Sequence, residues 1–259
     1  TGYFEPRIKG SYKPTKRFTR AIYRKPSDLK KVIIRQFSDK FEGQDSLRAR
    51  VDGEQVLPYF TREEIDSKNK LQRKKLEICW VDPIDAFFLQ IQGSGVVELQ
   101  GGKELYLVFS EKNGRKYEAI GRFLREKIAP EKISMQSIER YLRSLAPEEA
   151  QKIMNLNPSY VFFNTSKKRA ITSIGVPATA GRTIAVDAKI YPKGALAFLS
   201  FDRSESSSVK GRFVFDQDVG GAITGPGRVD LFWGSGDVAK QGAGMMQQRA
   251  NLYYFVPRK

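Results

Sequence analysis

Histidine is missing from the 259 residues, and cysteine occurs once. The first absence removes Ser-His-Asp and Cys-His nucleophilic catalysis and every His-ligated metal site. The second removes an internal disulfide. Cys79 lies in the apolar stretch LEICWV and reads as a small buried hydrophobe. No apolar run approaches the ~18 residues of a membrane-spanning helix. A signal peptide is also absent: the chain opens on TGYFEP, so an upstream segment is expected to have been removed or to lie outside this sequence. Chemistry is left to carboxylates, Lys, Tyr, Ser and Thr, with no cofactor and no metal implied.

What is present is a chain that can fold. A 40% hydrophobic and 12% aromatic composition supports a real core, and the length suits one large or two small domains. Forty-five basic residues against 29 acidic give +16, which favours anionic partners. Nucleic acid is one candidate, and peptidoglycan, with carboxylates on its peptide stems, is another. The basic residues are scattered, as in KKVIIR, LQRKKLE and SKKRA, which also suits a merely solvated surface. No helix-turn-helix, zinc-finger or RNA-recognition signature occurs, so nucleic acid is not the expected partner.

Along the chain, residues 1–60 read as strands and turns. Thr61-Arg62-Glu63-Glu64 is a capping box. Asp82 caps a second helix with Pro83 at its first position, and that helix is expected to give way to FFLQIQGSG, with Gln90 and Gln92 on one strand face. Residues 104–109 read as a strand, and Asn113-Gly114 as a hairpin turn. From Tyr117 to Leu145 the apolar period becomes helical. Pro147 starts another short helix, and Tyr160–Phe163 returns to strand. After residue 164 little helix is expected. TIAVD, ALAFLS, RFVFD, RVDLFW and LYYFV read as short strands of a closed β structure.

The stretch 216–236, DQDVGGAITGPGRVDLFWGSG, is the most informative. Asp218 and Asp230 flank a loop bearing Gly220, Gly221, Gly225 and Gly227. Alternation in RVDLFW sets Val229, Leu231 and Trp233 on one face and Asp230 with Phe232 on the other. A carboxylate within an apolar strand is costly unless paired, protonated or facing a cleft. The glycines permit close approach of substrate or backbone. The loop lacks the Lys-Ser/Thr of a P-loop and leads into a strand, which excludes a phosphate cradle of that kind. Asp187, closing TIAVD, reads equally as a site residue and as a turn-initiating Asp. Gln90, Gln92, Gly93 and Ser94 suit sugar hydroxyls and acetamido groups, although on the residues alone an ordinary polar strand face with a turn is the favoured reading.

Several segments resemble one family in order. TGYFEP, LPYFTREEI, FFLQIQGSG, NPSYVFF and DVGGAITGPGRVDLFWGSG resemble the motifs of the membrane-bound lytic transglycosylase A (MltA) family, the last being the signature named for its three aspartates. The resemblance covers nearly the whole chain. It implies a mainly β fold: a double-psi β-barrel from residues 1–5 and 164–259, a smaller β-rich insert with a few short helices over 6–163, and a substrate groove between them.

The resemblance also implies cleavage of the β-1,4 bond between N-acetylmuramic acid and N-acetylglucosamine, leaving a 1,6-anhydromuramoyl end. Asp230 matches the family's catalytic acid/base, and Asp218 and Asp187 match the other two aspartates. Asp218 is expected to assist Asp230, to orient it, or to bind a backbone amide. Thr1, Tyr3, Gln90, Gln92, Gly93, Ser94, Asp187, Gly220 and Gly221 are the expected glycan contacts. Peptidoglycan strands are the expected partner, a monomer the expected state, and the periplasm the expected place, with outer-membrane anchoring through an upstream segment. Two alternatives stay open: a two-carboxylate glycoside hydrolase using Asp230 and Asp218, and a non-catalytic wall-binding module.

Overall fold

The structure, a computed structural model, describes residues 1–37, 46–167, 171–201, 211–221 and 223–256. Part of the basic run SKKRA, and Ala222 of the Gly-rich loop, lie outside the described residues. The strands are β1 Gly2–Glu5, β2 Arg7–Ser11, β3 Arg20–Tyr23, β4 Lys30–Val32, β5 Leu47–Asp52, β6 Gln55–Pro58, β7 Glu77–Val81, β8 Gly95–Glu98, β9 Glu104–Lys112, β10 Val161–Ser166, β11 Thr183–Ala185, β12 Leu196–Phe201, β13 Gly211–Asp218, β14 Asp230–Ser235 and β15 Ala250–Tyr254. The helices are α1 Arg62–Asp66, α2 Pro83–Gln92, α3 Met135–Ser144, α4 Pro147–Asn155 and α5 Asp237–Met245. The fold is mainly β and divides into two units, Thr1–Arg7 with Lys167–Lys259, and Ile8–Ser166.

In the first unit six strands run in the order β1-β14-β11-β13-β12-β15. The pairs β1·β14 and β11·β13 are parallel, and the rest antiparallel. The strands RVDLFW and TIAVD lie side by side at the centre, because Ile184, Leu231, Val214, Ala197 and Leu199 turn the same way and form one buried cluster. Removing such side chains from water is the main force holding the sheet.

Helix α5 corrects the expectation of a helix-poor C-terminal part. Its glycines weaken intrinsic helicity, so the sequence reads as loop. Docking overrides that preference: Gly242 lies flat against the Trp233 ring, where a Cβ would not fit. Gly2 of TGY serves the same contact, since a Cβ there would come within 2.6 Å of Trp233 Nε1 and 2.9 Å of Ala243 Cα.

The second unit holds a sheet ordered β10-β9-β8-β2-β7-β3 and a small sheet β4-β5-β6. Thr61 and Glu64 close the expected capping box on α1. Asp82 Oδ1 accepts the Ile84 and Asp85 amides at 2.9 and 3.1 Å, and Pro83 opens α2.

Three expectations are corrected here. FFLQIQ is not a strand: the well-capped α2 continues through it to Gln92 and ends at Gly93, whose φ of 80° supplies the left-handed cap. The apolar residues Ile84, Phe87 and Phe88 are spaced to bury one helix face, and that burial wins over the Gln alternation. Asn113-Gly114 makes no hairpin. Asn113 is fully buried, donating from Nδ2 to the Phe60 and Pro158 carbonyls at 2.8 Å each and accepting the Tyr160 amide at 2.9 Å. The helical period from Tyr117 to Leu145 is broken into two short 3-10 turns, Ile120–Leu124 and Pro130–Lys132, and then α3, because Pro130 cannot continue a helix and Ser134 caps a new one.

Candidate active site

Strand register fixes the surroundings of Asp230. Ala185 of β11 pairs with Asp230 of β14 on one side and with Asp218 of β13 on the other. Residues opposite one another share a sheet face, so both acids leave the face that bears no core cluster. Two strand spacings of ~4.8 Å set their backbones about 10 Å apart. Tyr3 of β1 pairs with Phe232, two residues beyond Asp230 and on the same face. Its ring packs on Phe232 with centroids 5.1 Å apart.

Asp230 is 8% exposed. Its two oxygens are used unequally. Oδ1 accepts from the Thr1 hydroxyl and from Arg228 Nε at 2.9 Å, whereas among the described residues Oδ2 has only a long contact, 3.4 Å, from Arg228 Nη2. Thr1 is itself held by the β14 backbone, its terminal nitrogen donating to the Val229 carbonyl at 2.8 Å and its carbonyl accepting the Leu231 amide at 2.9 Å.

Asp218 is occupied on both oxygens. Oδ2 accepts from the Tyr3 hydroxyl at 2.9 Å, and Oδ1 accepts the Ser173 and Val219 amides at 3.0 and 2.9 Å. Burial raises its carboxyl above the ordinary value, with the donors Tyr3, Val219 and Ser173 pulling the other way. Burial, and then the neighbouring Asp218 charge, likewise raise the Tyr3 phenol.

The backbone carrying Asp218 is pinned by a residue absent from the expected set. Lys193 Nζ donates to the Asp218 carbonyl at 2.7 Å, the Val186 carbonyl at 3.3 Å and Asp216 Oδ1 at 2.5 Å. Asp216 is fully buried and also accepts from the Tyr254 hydroxyl at 2.7 Å.

Asp187 anchors the loop that follows β11. Oδ1 accepts the Lys189 amide at 3.0 Å, as a turn-initiating Asp does, and Oδ2 accepts the Gly225 amide at 2.8 Å. These amides, Gly225 first, hold its carboxyl below the usual range. Tyr191 donates to the Pro226 carbonyl at 2.7 Å and stacks on Tyr254 at 5.3 Å. The loop leading to Arg228 is thereby tied at two points. Gly220 lies under Ile223, and its carbonyl accepts the Ile223 amide at 3.0 Å; Gly221 continues the same turn.

Thr1, Tyr3, Asp187, Asp218, Gly220, Gly221 and Asp230 all belong to the first unit. Gln90, Gln92, Gly93 and Ser94 belong to the second, at the C-terminal end of α2. There Gln90 is buried, and its Oε1 has no partner among the described residues. Gln92 Nε2 lies 3.8 Å from Met135 Sδ. The two amides therefore leave different sides of a helix, not one strand face. Sequence reasoning missed Arg228, although its i, i+2 spacing to Asp230 on a strand carried the signal. It also missed Lys193 and Asp216, whose meeting is visible only in the fold.

The fold is that of a β-sheet protein whose candidate centre is one buried carboxylate, gripped on one oxygen and loosely contacted on the other. The model of the MltA-specific insert domain matches residues 1–164, more than half of the chain, and that of the 3D domain matches residues 182–256, so the chain belongs to the MltA family. A membrane-bound lytic murein transglycosylase A homolog of Buchnera aphidicola is 27% identical over 254 residues, covering 94% of this chain and 62% of the relative. The Escherichia coli K12 membrane-bound lytic murein transglycosylase A is 29% identical over 170 residues, 62% of this chain and 46% of that protein. The chain thus spans under two thirds of the length of these relatives. Among solved structures, a membrane-bound lytic murein transglycosylase from Agrobacterium tumefaciens superposes with a TM-score of 0.88 at 31% identity, covering 99% of this chain and 73% of that one. MltA from Neisseria gonorrhoeae gives 0.83 at 28% identity, covering 99% and 72%.

Proposed function

We propose that the protein is a peptidoglycan lytic transglycosylase with Asp230 as its single acid/base. The observation that carries this reading is the asymmetry of Asp230. Oδ1 is filled by Thr1 and Arg228, which fixes the carboxyl group, while Oδ2 has one long contact and can carry a transferable proton. Asp218 has three donors on its two oxygens, which suits holding Tyr3 and the 218–219 turn better than serving as a second base or nucleophile. The reading is thus a one-carboxylate mechanism rather than the two-carboxylate pattern of ordinary glycosidases.

In that mechanism Asp230 gives its proton to the leaving O4 as the bond to C1 of the muramoyl residue breaks. The resulting carboxylate then takes the proton of the C6 hydroxyl while O6 closes on C1. Atoms balance without water, and the product ends in a 1,6-anhydro ring. Charge on the oxocarbenium-like transition state is stabilised by fixed dipoles and by the substrate's own acetamido group. Tyr3, on the Asp230 face, offers a ring wall to a sugar. Gln90, Gln92, Gly93 and Ser94 are proposed glycan contacts of the second unit, and Thr1, Asp187, Gly220 and Gly221 of the first. Peptidoglycan strands are the partner, the chain acts as a monomer, and it works in the periplasm, held at the outer membrane by a segment upstream of Thr1. Among the described residues no helix is long and apolar enough to cross a membrane.

Release of soluble muropeptides from purified sacculi tests the reading. The protein should clear a sacculus suspension, and Asp230→Asn should not. Clearing that survives Asp230→Asn would refute the assignment of the acid.

A further inference from the structure

Among the described residues, the only charged side chain whose hydrogen bonds reach both oxygens of Asp230 is Arg228. The pairing has a chemical consequence. While Nε and Nη2 both point at the carboxyl group, the guanidinium stands beside Oδ2, the oxygen that must hand its proton to the leaving group, at 3.4 Å. Drawing the guanidinium aside clears the approach of the glycosidic oxygen to Oδ2. Arg228 is able to move, for its side chain is 43% exposed against 12% for Asp230. A planar guanidinium fork transfers most readily to another carboxylate, which matches it in bidentate fashion.

Accepting the glycan-cleaving reading above, we infer that Arg228 selects substrate by exchanging Asp230 for a carboxylate carried on the muramoyl residue. In the free protein Arg228 grips Asp230. In the complex it grips the substrate carboxylate, Oδ2 of Asp230 takes one proton from solvent, and the acid is ready. A neutral glycan of N-acetylglucosamine alone can lie on the same face but has nothing to draw Arg228 away. The recognised group is either the lactyl carboxylate, free when the stem peptide has been removed, or a carboxylate of the attached stem. Arg228 is in this account a specificity-determining residue, whereas Thr1, whose hydroxyl stays on Oδ1, keeps the acid oriented during the exchange.

The test uses Asp230→Asn, which binds without cleaving, and the double variant Asp230→Asn/Arg228→Gln. Each is titrated by calorimetry with three probes: stem-stripped muramoyl oligosaccharide, stem-bearing muropeptide oligomer, and chitohexaose. Asp230→Asn should prefer the carboxylate-bearing probes over chitohexaose by at least about tenfold, the usual worth of a charge-assisted pair. The double variant should bind all three alike, with chitohexaose affinity unchanged. Loss of preference for the stripped probe assigns the lactyl carboxylate, and loss for the stem-bearing probe alone assigns the stem. In the active protein Arg228→Lys, which keeps the charge but not the fork, should restore only part of kcat/KM on sacculi relative to Arg228→Gln. Equal unfolding midpoints would show that folding is intact. A preference that persists in the double variant would overturn the inference and leave the lytic reading standing. Failure of Asp230→Asn to bind any of the three probes would overturn both.

Discussion

Replacing Lys193 by Met should be among the most damaging single changes in the first unit. Asp216 is wholly buried, and its two recorded partners are the Lys193 ammonium at 2.5 Å and the Tyr254 hydroxyl at 2.7 Å. Without the lysine, Asp216 keeps one neutral donor against a full charge. Breaking a buried pair from one side costs about 3–5 kcal/mol, because the remaining charge has lost its compensation. At about 2–4 °C per kcal/mol for a chain of this size, the unfolding midpoint should fall by roughly 6–20 °C. Lys193→Met/Asp216→Asn removes both charges and leaves Tyr254 an amide oxygen to donate to, so most of the stability should return. Activity should not return with it, since the ammonium also holds the Asp218 carbonyl at 2.7 Å. Thermal unfolding by circular dichroism on the two single variants and the double closes the cycle. A loss below about 1 kcal/mol for Lys193→Met, or a double variant as unstable as the sum of the singles, would refute the coupling.

Gly2→Ala should destabilise by about 1–3 kcal/mol through overpacking against Trp233 and Ala243, measured by denaturant unfolding; a neutral result would mean that α5 shifts freely. The Gly225 amide proton, followed by NMR, should titrate with Asp187 at a midpoint below the ordinary value of ~3.9. The sign follows from a depressed carboxyl: its contribution is present above the unfolded value and is lost as pH falls through the folded one. Asp187→Asn should abolish that titration, and an unchanged curve would contradict the contact. Gln90→Met should raise the unfolding midpoint slightly while lowering muropeptide release, because an unpaired buried amide oxygen disfavours the free protein; a lowered midpoint would show that the oxygen is satisfied.

Much of the fold was legible where a local signal and burial agree. The Thr61 capping box, the Asp82-Pro83 start of α2 and the alternation of RVDLFW each place elements as observed. The misreadings fall where two signals compete. In FFLQIQ the Gln spacing suggested period two, while a capped start and the Ile84, Phe87, Phe88 cluster imposed a helix. In DVAKQGAGM glycine suppressed the helical signal, yet the same glycine allows the Trp233 contact that stabilises the helix. At the candidate site Asp230 stood out as a carboxylate among apolar strand neighbours, and the structure adds that its face is shared with Tyr3 and Phe232. Arg228 lay within reach of the same argument. Lys193 did not, because 23 residues separate it from Asp216 and only the pairing of β12 with β13, continued by the Gly194 amide on the Asp216 carbonyl, brings the two together.

The central claim is that one carboxyl group, Asp230, cleaves glycan strands without water. Mass spectrometry of the muropeptides released from purified peptidoglycan tests it most directly, with Asp230→Asn run beside the parent protein. The account predicts 1,6-anhydromuramoyl ends, each lighter by one water than the hydrolysis product, and their disappearance with Asp230→Asn. Reducing ends would contradict it and make Asp218 a second catalytic carboxylate.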